Sequence, residues 1–105
     1  MTEIIYLSDL SEFKKAINVA NLVVVDFTAT WCGPCKAIAP MFQKLSIEHS
    51  DCDFYKVDVD DGDDIAQECQ IKAMPTFNFY KNGKLLCSFS GSDVNLLKKN
   101  IQTHK

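Results

Sequence analysis

Leu22-Val23-Val24-Val25-Asp26-Phe27-Thr28-Ala29-Thr30-Trp31-Cys32-Gly33-Pro34-Cys35 decides how this chain folds. Leu22 to Thr28 is an apolar, valine-rich run broken only by Asp26, which predicts a strand buried on both faces and central in a sheet. The cysteines that follow sit at a strand-to-helix junction. Cys32 is expected in the first helical turn, where unpaired backbone N–H groups favour negative charge, lower a thiol pKa and expose a nucleophilic thiolate. Cys35, three residues on, shares its helical face, and a short inward lean brings the two Cβ atoms to about 3.5–4.5 Å, disulfide distance. Dithiol–disulfide exchange is the chemistry this spacing serves.

Outward from that stretch, Ile4 to Leu7 reads as a short strand, Ser8 or Asp9 can cap the next helix, Asp9 with Glu12 having capping-box spacing, and Leu10, Phe13, Ala16 and Ile17 recur at helical period through Val19. After the cysteines, Ile38, Phe42 and Leu45 mark a helix to about His49, with Pro40 inside it removing one backbone hydrogen bond. Asp53 to Asp58 is a third strand, and Asp63 to Gln70 a short helix. Thr76–Tyr80 and Leu85–Phe89 flank Asn82-Gly83, the strongest short hairpin signal. Gly91 ends the second of these strands, Ser92 can cap, and Val94, Leu97 and Ile101 line a last helix. The predicted order is βαβαβ, a helix, a hairpin and a helix: an α/β chain with a central mixed sheet covered on both faces.

The 105 residues fit one domain, 1–105, and 47% apolar content suffices for a core without a disulfide framework. A net charge of −3 gives no reason to expect nucleic acid or an anionic membrane as partner. Met1 to Tyr6 carries no basic region or long apolar stretch, so no secretory signal is visible and a cytoplasmic location is expected. Among the five cysteines, Cys52, Cys69 and Cys87 read as small core hydrophobes, with Cys69, at the end of a short helix, the best candidate for a regulatory thiol.

The chain resembles the thioredoxin family over its whole length. The matching stretches are Val23-Val24-Val25-Asp26-Phe27, Ala29-Thr30-Trp31-Cys32-Gly33-Pro34-Cys35-Lys36, Ala39-Pro40, Val57-Asp58-Val59-Asp60, Met74-Pro75-Thr76-Phe77 and Phe89-Ser90-Gly91. The resemblance implies a five-stranded sheet in order 1-3-2-4-5, four flanking helices, and the cysteines at the end of strand 2. It implies a monomeric general protein-disulfide reductase and electron carrier with no bound cofactor or metal. Electrons would come from NADPH through thioredoxin reductase, and clients would be peroxiredoxins, ribonucleotide reductase and methionine sulfoxide reductases. Several animal members carry cysteines where this chain has Gly62 and Ala73, so regulatory disulfides at those positions are ruled out here.

The individual residues have their own chemistry. Asp26 is a lone carboxylate in an apolar strand, so burial should raise its pKa and suit it to accept the Cys35 proton, through water. Lys56 is either a solvated strand lysine or, as the resemblance implies, a neighbour that modulates Asp26. Pro34, lacking an N–H and fixed in φ, suits a helix start and restricts the loop between the thiols; the resemblance adds Gly33 as a supporting residue, and in the family proline here accompanies a reducing protein. Trp31, just before the nucleophile, reads as a cover over the site. Pro75 forces Met74 to be extended, and the resemblance implies a cis bond facing the cysteines. A client segment could pair along Ala73 and Met74 as an added strand, with Trp31, Met74 and Gly91 forming an apolar surface. The resemblance adds Thr76 to this substrate-binding set.

Two rival functions are a zinc module built on Cys32 and Cys35, which lacks two further ligands in a fixed pattern, and a redox-switched adaptor that binds partners. An EF-hand reading of the acidic run from Asp58 to Asp64 fails because Val57 and Val59 would fall at ligand positions. His49 and His104 have no catalytic pattern around them.

Overall fold

A computed structural model describes residues 3–105; Met1 and Thr2, part of the N-terminal stretch read above, lie outside the described residues. The elements run β1 (Ile5–Tyr6), α1 (Leu10–Ile17), β2 (Val23–Thr28), α2 (Gly33–Glu48), β3 (Asp53–Asp58), α3 (Asp63–Glu68), β4 (Thr76–Lys81), β5 (Lys84–Ser90) and α4 (Val94–His104). The five strands form one sheet in the order β1-β3-β2-β4-β5. β3 pairs in parallel with β1 and β2, while β4 runs antiparallel to both β2 and β5.

Alternation along β2 sends its side chains to two separate cores. Val24 packs with Ile38, Phe42 and Leu45 of α2 and with Leu97 and Ile101 of α4. Val23, Val25 and Phe27 pack on the other face with Phe13 and Ile17 of α1 and Ile65 of α3. Both faces of β2 are therefore covered, which is why its sequence is apolar throughout. Asp26, at the parity of Val24, points to the α2/α4 side.

Local chemistry sets the boundaries. The Asp9 carboxylate accepts the Glu12 N–H at 2.8 Å. The Glu12 carboxylate reaches back to the N–H of Ser8, one residue earlier than a reciprocal capping box would place it. Asn82 and Gly83 turn the β4–β5 hairpin with φ of 53° and 78°, as a primed turn requires. Several expectations shift: α1 ends at Ile17 rather than Val19, and β2 starts at Val23 rather than Leu22. β1 is confined to Ile5 and Tyr6, the residues that pair with Tyr55 and Lys56. α3 ends at Glu68, and Gln70 then adopts a φ of 56° that ends helical geometry. Asp93, rather than Ser92, caps α4 by accepting the Leu96 N–H at 3.1 Å.

Candidate functional site

The end of β2 delivers the chain through Ala29 to the start of α2, and Cys32 and Cys35 lie there with Cα atoms 5.3 Å apart, joined as a disulfide. Cys32 is the N-cap of α2, one position before the expected first turn, and its Sγ accepts the Cys35 N–H at 3.2 Å. A backbone donor thus already points at the sulfur that would carry thiolate charge. Pro34, in the first turn, has no N–H to leave unpaired, and Gly33 opens the helix.

In this oxidised form Cys32 is only 6% exposed and Cys35 3%. The open exposure expected for Cys32 is corrected for this form: the two cysteines cluster with Ala29, and Val59 and Met74 pack against that cluster. Trp31 is 65% exposed beside the pair, and its indole N–H donates to the Asp60 carboxylate at 2.9 Å. That tether was not legible in the sequence, because the two residues share no local spacing. Three more acids of the run are engaged: Asp58 accepts the Asp60 N–H at 2.9 Å, Asp64 the Leu10 N–H at 3.0 Å and Asp63 the Gln67 amide at 2.8 Å.

The Met74–Pro75 bond is cis. Met74 packs against the cysteines, Ala73 is exposed and Pro75 is buried. The Pro75 carbonyl accepts the Gly91 N–H at 2.8 Å, and Gly91 has a φ of 104° that favours glycine. Thr76, expected among the substrate contacts, instead turns inward: it is 5% exposed, and its hydroxyl donates to the Ala73 carbonyl at 2.6 Å and meets Ser90 Oγ at 2.8 Å.

Asp26 is 1% exposed, and among the described residues its Oδ1 has no hydrogen-bond partner. Burial pushes its pKa up to about 7, with Lys56, its register partner on β3, pulling weakly the other way. A cavity of about 330 Å³ is lined by Cys35, Lys56, Thr28 and Asp58, so the second thiol and that lysine share one recess.

The remaining cysteines lie elsewhere. Cys52 is buried beside Asp51, Cys69 is half-buried 3.6 Å from the Tyr80 hydroxyl, and Cys87 contacts Asn100. Burial pushes all three thiols up, away from the reactive thiolate. Among the described residues no group of three or more His, Cys, Asp or Glu side chains could hold a metal, and no helix is long and apolar enough to cross a membrane.

The thioredoxin family model matches residues 4–103. The chain belongs to the thioredoxin family. Thioredoxin of Ictalurus punctatus is 48% identical, over 97% of this chain and 99% of that protein. The X-ray structure of Fasciola hepatica thioredoxin superposes with a TM-score of 0.95 at 41% identity, covering 97% of this chain and all of that one. A chain from the structural study of the thiol-resolving mechanism in yeast mitochondrial 1-Cys peroxiredoxin, via glutathione/thioredoxin systems, gives 0.91 at 42% identity over 95% and 94% of the two chains. The thioredoxin fold is thus present with the family's sheet order, and the protein is a protein-disulfide reductase working by dithiol–disulfide exchange at a redox-active cysteine pair. Thioredoxins carry no prosthetic group, and their partners are redox proteins.

Proposed function

We propose that Cys32 is the attacking thiolate, Cys35 the resolving thiol and Asp26 the acceptor of the Cys35 proton, in one domain spanning the chain. The Cys32 thiolate attacks one sulfur of a client disulfide, forming a mixed disulfide and releasing the other client sulfur as a thiolate. Cys35 gives its proton to the Asp26 carboxylate and attacks Cys32 Sγ, so the client leaves with two reduced sulfurs and the Cys32–Cys35 bond holds the oxidation. The carrying observation is the Cys35 N–H directed at Cys32 Sγ on the N-cap of α2, which favours charge on that sulfur. An acid poised near 7 matches a proton acceptor working at neutral pH. Lys56 tunes that acid, Gly33, Pro34 and Pro75 hold the loops around the thiols, and Trp31, Ala73, Met74 and Gly91 receive the client, its main chain pairing beside Met74.

Electrons return from NADPH through thioredoxin reductase, and the protein works as a cytoplasmic monomer. The clients are peroxiredoxins, ribonucleotide reductase and methionine sulfoxide reductases; the peroxiredoxin study containing a similar chain supports the first. Cys35→Ser should accumulate mixed disulfides with clients and Cys32→Ser almost none, read by mass spectrometry of trapped adducts. Equal trapping by both would reverse or abolish the assignment. Insulin reduction with reductase and NADPH separates this carrier from a redox-switched adaptor, which would turn over poorly.

A further inference from the structure

Thr76 opens β4 and Ser90 closes β5, and the antiparallel register makes them direct cross-strand partners. A hydroxyl has one proton to give. Thr76 gives its proton to the Ala73 carbonyl at 2.6 Å, so in the 2.8 Å contact with Ser90 the donor is Ser90. A directed relay results, from the exposed Ser90 through the buried Thr76 to the carbonyl just before Met74. The neighbouring Gly91 N–H holds the Pro75 carbonyl at 2.8 Å. The loop is gripped on both sides of Met74.

Met74–Pro75 is the cis bond among the described residues, so the Ala73–Met74 peptide is trans. The carbonyl and N–H of a trans peptide point in opposite directions across its plane. Drawing the Ala73 carbonyl inward onto Thr76 therefore turns the Met74 N–H outward, on the side of the loop where the client is read to lie. We propose that Ser90 and Thr76 are positioning residues for client recognition: their relay fixes the Ala73–Met74 peptide plane and aims the Met74 N–H at a main-chain carbonyl of the client. This rests on the reading that clients pair beside Met74. Backbone recognition of this kind is indifferent to client side chains, so the relay governs every peptide client alike.

Thr76→Val keeps the branched shape and removes the relay, whereas Thr76→Ser keeps the hydroxyl. The loss of one aimed hydrogen bond should raise KM for insulin about fivefold in Thr76→Val with kcat held, and Thr76→Ser should restore it. Ser90→Ala, at an exposed site where folding is not at risk, should raise KM roughly twofold. The second measurement is amide exchange at Met74 in the mixed disulfide trapped by Cys35→Ser with a client peptide. Slowed exchange in that complex, lost on adding Thr76→Val, is the expected result. Protection that persists in Thr76→Val, or a fall in kcat with KM unchanged, overturns the positioning role while leaving pairing at Met74 intact. No protection even with Thr76 present overturns the pairing itself, and the inference with it.

Discussion

Asp26 and Asn78 sit on neighbouring central strands, on opposite faces of the sheet, and both are withdrawn from water. Asn78 is fully answered: its amide donates to the Tyr80 hydroxyl at 2.9 Å and its carbonyl accepts from Ser88 at 2.6 Å. Asp26 has an oxygen with no partner among the described residues, and burial raises its pKa to about 7 against the opposing pull of Lys56. A satisfied network specifies and stabilises a core, whereas an unsatisfied buried acid costs stability. The side of the sheet carrying α1 and α3 thus holds a satisfied polar group, and the side carrying α2 and α4 an unsatisfied one.

The sharpest way to break this contrast is Asp26→Ala. The folded-state pKa is raised from 3.8 to about 7, so the folded form keeps a proton that the unfolded chain releases in that window. Stability therefore falls as pH rises from about 4 through about 7 and stays low above it. At pH 9 the variant should gain up to about 4 kcal/mol, less about 1–2 kcal/mol for the volume removed, and at pH 3 only the loss remains. Denaturant unfolding at several pH values checks this, alongside slower release of the trapped client. A variant less stable at pH 9 would make Asp26 an ordinary satisfied acid.

Asn78→Ala should behave in the opposite sense. It takes one partner from the buried Tyr80 hydroxyl, which keeps Cys69 beside it, and leaves the exposed Ser88 hydroxyl to water, so it should cost roughly 1–2 kcal/mol at every pH, with turnover retained in the folded fraction. A strong pH dependence in that loss would blur the distinction. The smallest effect is expected from Lys56→Met. Lys56 lowers the Asp26 pKa, so its removal should move the alkaline change in mixed-disulfide release to higher pH. An unmoved profile would leave Lys56 a solvated strand lysine.

Patterns confined to one element were legible in the sequence. The β2 run, the Asn82-Gly83 turn and the α1 cap each need only neighbours in the chain: β2 forms one residue inside its expected start, the turn forms at Asn82-Gly83, and of the two expected caps Asp9 is used. Boundaries slipped where pairing or capping had a close competitor, as with Asp93 over Ser92. The cysteine pair was visible, but the low exposure of Cys32 was not, because the packing of Val59 and Met74 against the cluster is a tertiary event. The Trp31–Asp60 tether and the Ser90–Thr76 pair join residues that only the sheet brings together, and no spacing announces them. The inward turn of Thr76 was missed for the same reason.

The redox bond closes a sequence separation of only three residues, both ends at the start of one helix. Crosslinking so short a span restricts the unfolded chain by about 2 kcal/mol, against nearly 5 for a loop of about 100 residues. Linkage is mutual: whatever a crosslink lends to folding, folding lends back to the crosslink. A long-range bridge would tie the ease of giving up electrons to the integrity of the whole domain. Here the coupling is less than half as strong, so opening the bond costs the fold far less than opening a long-range bridge would.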